Sequence, residues 1–98
     1  MINYTAKPIF NSATECTFRV KNYGNLPPWK QMQLESILKK HFAFCTLQAG
    51  EGMLVVHENF GMPVHCGQYT RRLEILIFQI RLAIDPLLTF STELVYAA

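Results

Sequence analysis

The sequence contains no run of about 20 apolar residues, which is the length that a membrane-spanning helix requires. Its longest apolar stretch, residues 73–88, is interrupted by Glu74, Gln79, Arg81 and Asp85. The first residues lack a basic segment followed by an apolar one, so they predict no secretion signal. These absences predict a soluble, cytoplasmic protein with no membrane partner.

Charged residues are also scarce. They make up 16% of the 98 residues, whereas hydrophobic residues make up 50%. Soluble domains typically carry roughly 25% charged residues. The length predicts a single domain, residues 1–98, and a domain this small has little interior in which to bury so much apolar material. Part of that material is therefore expected at an interface, and a homo-oligomer is predicted.

Cysteine is present three times, an odd number without close spacing, which does not favour a disulfide framework. Neither a Cys-x-x-Cys pair nor a spaced histidine pair occurs, so no metal ligand is predicted. A nucleophilic or metal site around His57, His65 and Cys66 is the minor alternative, although the sequence supplies no evident third group to orient a nucleophile. No enzyme activity, catalytic residue or cofactor is predicted.

Apolar periodicity predicts an α+β fold in which two helices pack on one face of a small antiparallel or mixed sheet. Residues 15–21 alternate between apolar and polar, which predicts a strand with one buried face. Two further short strands, residues 43–48 and 53–58, are joined by a glycine-containing linker that is typical of a hairpin. Residues 59–67 are predicted to form a loop or a distorted strand.

The two helices are predicted at residues 28–42 and 68–84. Pro28 suits the first turn of a helix, where no amide partner is lost. The predicted core stripe of the first helix comprises Leu34, Ile37, Leu38, His41 and Phe42.

The two flanking segments are less regular. Residues 1–12 are predicted as an edge strand or an arm, since Pro8 cannot donate to a central ladder. Residues 87–98 form a tail that is compatible with either a helix or a strand. The predicted order is therefore β-(β)-α-β-β-α followed by this undecided tail.

The second helix carries more apolar surface than one core requires. At roughly 100° per residue, one face forms an ordinary core stripe, whose members are Tyr69, Leu73, Leu76, Ile77, Ile80, Ala83 and Ile84. Ile75, Phe78 and Leu82 fall on the opposite face. A helix that is apolar on two sides is usually buried on both. The second face is expected either to bind a protein partner or to be covered by the tail.

Trp29 and Met32 on the first helix project away from its core stripe. They are predicted either to pack under a neighbouring loop or to belong to an interface, in which both residue types are enriched. Tyr23 and Leu26 would extend such an interface.

A nucleic-acid contact is the alternative function. Its candidate residues are Arg19 and Lys21 on the polar strand face and Arg71 and Arg72 at the start of the second helix. Positive charge is unfavourable at a helix start, which suggests an acidic or phosphate partner there. However, the strand face lacks the exposed aromatic side chains that stack on single-stranded bases, and the net charge of +2 is small.

The order of elements over about residues 15–85 resembles that of small phage and prophage regulators. The resemblance rests on the strand segment 18–21, the helix entry Asn25-Leu26-Pro27-Pro28, the strand pair and the final helix. DinI-like proteins share the strand–helix–strand–strand–helix order, and phage-encoded antirepressors are similar in size. DinI-like proteins have an acidic final helix, whereas this chain has Arg71, Arg72 and Arg81 there, so no RecA-binding residues are carried over.

The resemblance implies a class of small inhibitors that sequester another protein, located in the bacterial host cell if the gene is phage-encoded. Together with the apolar second helix, it predicts a homo-oligomeric, non-enzymatic regulator that binds a second, unidentified protein.

Overall fold

The computed structural model describes residues 11–97. The edge strand or arm predicted for residues 1–12 lies outside the described residues, apart from its last two positions. The described chain forms, in order, β1 (Ser12–Val20), a 3-10 turn (Tyr23–Asn25), α1 (Pro28–His41), β2 (Cys45–Gly50), β3 (Met53–His65), α2 (Cys66–Ala83) and β4 (Phe90–Tyr96).

The four strands form one antiparallel sheet in the order β2-β3-β1-β4. The predicted α+β class is confirmed, and the sheet is antiparallel rather than mixed. The undecided tail contains a strand, β4, which pairs with β1 at the edge of the sheet. This βαββαβ arrangement is the split βαβ, or ferredoxin-like, topology.

The core lies between one face of the sheet and the two helices. β1 contributes Cys16, Phe18 and Val20 to it, as the alternation predicts. Phe18 is fully buried, and its ring lies 5.6 Å from that of Phe42 and 5.4 Å from that of Phe90 (centroid distances). Helix α1 and strand β4 therefore both pack against the centre of β1.

The core stripes of both helices are largely confirmed. Leu34, Leu38 and Phe42 are buried below α1, but His41 is exposed, so its placement in the stripe was wrong. His41 is the last residue of α1, where its polar imidazole can stay in solvent and avoid the cost of burial without a partner. In α2 the stripe is buried except at its margins, where Ile77 is half-buried and Ala83 is exposed.

Residues 59–65 form the distorted end of β3, which was one of the two alternatives predicted for residues 59–67, whereas Cys66 and Gly67 already belong to α2. The register between β1 and β3 moves from Glu15–Asn59 to Ala13–Val64, so residues 60–63 bulge out of the ladder. Gly61 has a φ of 77° within this bulge, a conformation that glycine adopts without steric cost. Its amide donates to the Asn59 side chain at 3.0 Å.

The hairpin between β2 and β3 has a two-residue turn, Glu51 and Gly52. Their φ angles are 55° and 77°, and positive φ at both positions is the signature of a type I′ turn. The 3-10 turn docks onto this hairpin, because the Gly24 amide donates to the Gly52 carbonyl at 2.9 Å.

Within residues 11–97, none of the helices combines the length and hydropathy that crossing a bilayer would require.

Candidate protein-binding surface

The outer face of α2, which points away from the sheet, carries a row of large apolar side chains. Ile75, Phe78 and Leu82 are 53%, 63% and 74% exposed, respectively. They follow each other at intervals of three and four residues, so they are neighbours along one side of the helix. The opposite side of the same helix is buried on the sheet through Tyr69, Leu73, Leu76 and Ile80.

Charged residues of both signs border this apolar row. Arg71 and Glu74 precede Phe78, and Arg81 and Asp85 follow it. Arg81 is held in place within the chain: its Nε donates to the Leu88 carbonyl at 3.1 Å, and its guanidinium lies 5.3 Å from the centroid of the Phe90 ring. An apolar centre with a polar rim is the usual anatomy of a protein interface.

The tail decides between the two explanations for the second apolar face. Residues 84–89 turn at the end of α2, and β4 then runs along β1, with Leu94 opposite Cys16 and Phe90 opposite Val20. The tail is thus part of the sheet, which lies on the opposite side of α2 from Phe78. Of the two alternatives, covering by the tail is therefore wrong.

Trp29 and Met32 on α1 are also exposed, at 63% and 72%. The ammonium group of Lys30 lies 5.5 Å from the centroid of the Trp29 ring. Tyr23 and Leu26 do not extend this patch, because both are buried in the core. The Tyr23 hydroxyl donates to the Glu35 carboxylate; burial and this hydrogen bond raise the pKa of Tyr23 to about 12.

The four candidate nucleic-acid contacts are not brought together. Arg19 lies on the helix-free face of the sheet and pairs with Glu93 at 3.2 Å, and Lys21 follows the end of β1. Arg71 and Arg72 lie in the helical layer on the other side of the sheet. Arg72 donates to the His41 carbonyl at 3.4 Å and stacks 5.6 Å from the centroid of the Tyr69 ring.

The histidines and cysteines are likewise dispersed. His57 contacts Glu15 across the helix-free face, with Nε2 and Oε1 2.8 Å apart. His65 caps α2, since its Nδ1 accepts from the Gln68 amide at 3.2 Å, which accounts for the helix starting at Cys66 rather than Gln68. Cys16, Cys45 and Cys66 are free thiols. Among residues 11–97, no three His, Cys, Asp or Glu side chains are grouped as a metal ion would require.

One polar cluster was missed at the sequence level. Glu58 lies on the core face of β3, opposite Cys16 and Cys45 on the adjacent strands, and its carboxylate accepts from the Tyr69 hydroxyl at 2.7 Å. Burial is the main cause that raises the pKa of both thiols, and the Glu58 carboxylate adds to it. Burial and the Glu58 hydrogen bond also raise the pKa of Tyr69. The two thiols therefore stay protonated and are poor nucleophiles.

Beside this cluster lies an open cavity of about 250 Å³. Its lining comprises Glu58, Phe60, Val64, His65, Gln68, Tyr69 and Arg72. The signal that could have located it is the alternation of β3, which places Glu58 on the same face as Leu54 and Val56. A carboxylate on the core face is costly to bury without a hydrogen bond, and the hydroxyl of Tyr69, in the core stripe of α2, donates one to Glu58.

Comparison with known proteins yields no relative: no protein-family profile, no curated protein and no solved structure matches this chain.

Proposed function

We propose that this chain is a non-enzymatic protein-binding domain that associates with itself and inhibits or sequesters another protein through the outer face of α2. A phage-type antirepressor, or a similar inhibitor in the bacterial cytoplasm, is the concrete form of this proposal. Its mechanism is steric, because a bound domain occupies the surface that its partner needs.

The observation that carries the proposal is the exposure of the row Ile75, Phe78 and Leu82. Fully burying one such side chain stabilises an assembly by about 1.5–3 kcal/mol. A contiguous exposed apolar patch on a small domain commonly marks an interaction site. Trp29 and Met32 on α1 offer a second exposed apolar site, and tryptophan is enriched among the residues that dominate interface energetics.

Light scattering on the purified protein tests the proposal. The wild-type chain, with a mass of 11.3 kDa, is expected to show a larger, concentration-dependent mass. Phe78→Asp places a charge in the centre of the apolar row, so it is expected to reduce the mass to that of one chain.

Thr70→Asp is the matched control, because it introduces the same charge at an exposed position of the same helix that is neither three nor four residues from Ile75, Phe78 or Leu82. This variant should keep the wild-type mass. A wild type that stays monomeric at all concentrations, or an unchanged mass in Phe78→Asp, would show that self-association through this helix is wrong.

A further inference from the structure

The charged residues along the outer face of α2 and just beyond its end alternate in sign. Reversing the direction of the chain therefore exchanges positive and negative positions. From Arg71 through Glu74 and Arg81 to Asp85, the signs run positive, negative, positive, negative. Reversal therefore sets every positive group against a negative one. A surface with this property is complementary to a copy of itself turned end to end.

The positions match as well as the signs. Arg71 and Asp85 lie seven residues before and seven residues after Phe78. Glu74 lies four residues before it and Arg81 three residues after it, and both fall on the same flank of the helix wheel. Asp85 lies two residues beyond the end of α2, so helical geometry assigns only the other pair: in antiparallel helices centred on Phe78, Glu74 stands opposite Arg81 of the other copy.

The apolar residues obey the same relation. Ile75 lies three residues before Phe78, and Leu82 four residues after it. Both fall on the flank opposite to Glu74 and Arg81. A two-fold axis perpendicular to the helices keeps each flank on its own side, so Ile75 meets Leu82 of the other copy while the Phe78 rings meet at the axis.

From this we infer, resting on the proposed function, that the self-association is a closed dimer in which two copies of α2 pack antiparallel about a two-fold axis at Phe78. The contact is isologous, because each copy uses the same surface. A parallel pairing about a two-fold axis along the helices is disfavoured, since it would set the flank of Glu74 and Arg81 against the apolar flank of the other copy and leave both charges unpaired in a partly desolvated rim.

The contacts within one chain are compatible with this arrangement. The bond from Arg81 to the Leu88 carbonyl uses Nε alone, and the terminal guanidinium nitrogens retain donor capacity. Packing on Phe90 already restricts the Arg81 side chain before association. The entropic cost of forming an interchain pair with Glu74 is therefore smaller. Asp85 accepts the Leu87 amide through Oδ1 at 2.8 Å, and a carboxylate has further acceptor sites.

Disulfide trapping tests the arrangement. In a chain carrying Cys45→Ser and Cys66→Ser, with Cys16 left buried, single cysteines are introduced as Ile75→Cys and Leu82→Cys, and each protein is oxidised alone and in an equimolar mixture. The mixture is expected to form the mixed disulfide, identified by its mass. Each variant alone should not crosslink, because two copies of position 75 would lie about 9 Å apart along the helix axis, beyond the reach of a disulfide.

Charge reversal supplies a second measurement. Glu74→Arg and Arg81→Glu should each weaken dimerisation about tenfold or more, whereas their equimolar mixture should recover most of it, since both flank contacts are then attractive in the mixed dimer. Circular dichroism checks that each variant is folded.

The outcomes separate the two proposals. Crosslinking of Ile75→Cys with itself and of Leu82→Cys with itself, in a protein whose assembly is abolished by Phe78→Asp, would overturn the antiparallel dimer and leave the binding surface intact. A wild type that never exceeds the mass of one chain would overturn both. The two-fold arrangement would also be contradicted if the oxidised mixture formed no mixed disulfide and the charge-reversed mixture did not recover dimerisation.

Discussion

Two tyrosine hydroxyl groups donate to carboxylates at the margin of the core, and each bond joins two elements. Tyr69 on α2 reaches Glu58 on β3, and Tyr23 in the 3-10 turn reaches Glu35 on α1. Alternation and helical spacing place such residues on a face, but they do not say which hydroxyl meets which carboxylate. That pairing is decided by packing, which is why the sequence led us to assign Tyr23 to a surface patch.

The raised pKa of Tyr23 predicts a loss of stability in alkali. Its value moves from 10.0 to about 12, so between these pH values the unfolded chain loses the tyrosine proton before the folded chain does. The contribution of Tyr23 to the free energy of unfolding should therefore be fully present below pH 10. It should fall as the pH rises from 10 to 12, by up to about 1.4 kcal/mol per pH unit.

Urea unfolding at a series of pH values from 7 to 12 measures this dependence. Tyr23→Phe should be less stable at neutral pH, by about 1 kcal/mol for the lost hydrogen bond, and should show a shallower decline in alkali. An equally steep decline in wild type and variant would contradict the assignment.

At the scale of single elements, most of the structure was predictable from local pattern. The alternation of β1, the hairpin and both helices follow from apolar spacing and from the positions of Gly52 and Pro28. The tail was not predictable, because its mixed composition suits a helix or a strand. It becomes a strand because β1 offers an unpaired edge, which is a long-range property of the fold.

The contact between the 3-10 turn and the hairpin gives a prediction at this scale. A Cβ atom at Gly24 would lie 2.9 Å from the Cα of Gly52, and a backbone atom cannot easily move away. Gly24→Ala should therefore lower the free energy of unfolding by about 1–3 kcal/mol.

Gly50→Ala is the matched control, because nothing lies within 4 Å of a Cβ at that position. Thermal or urea unfolding should find this variant close to wild type. Equal stability of the two variants would show that the 3-10 turn does not pack tightly on the hairpin.

At the scale of the whole molecule, one side chain ties the end of β1 to the segment that leads into β4. Asn22 donates through Nδ2 to the Leu87 carbonyl at 2.9 Å, and its Oδ1 accepts from the Thr89 amide at 2.8 Å. These two bonds fix residues 87–89 beside the end of β1, where β4 begins its pairing with β1. The sequence predicts neither bond, because Asn22 is 65 residues from Leu87 and 67 residues from Thr89.

Asn22→Ala should lower the free energy of unfolding by about 1–2 kcal/mol, since two hydrogen bonds are lost, and should speed hydrogen exchange of the β4 amides more than those of the β2–β3 hairpin. Asn25→Ala, at an exposed position of the 3-10 turn, serves as the control and should remain within about 0.5 kcal/mol of wild type. Uniform exchange across all four strands in Asn22→Ala would contradict a local role in holding β4.

The central place of β1 in the sheet has a consequence for how the chain acquires its structure. β1 is the first described strand, yet its two neighbours in the sheet are β3 and β4. Val20, for example, pairs with Leu54 on one side and with Phe90 on the other. Among the three strand pairings described, only that of β2 with β3 joins residues that are close together in the chain. During synthesis, one edge of β1 stays open until β3 has been made and the other until β4 has been made. The closing of these long loops makes folding slower than for a helical bundle of this size.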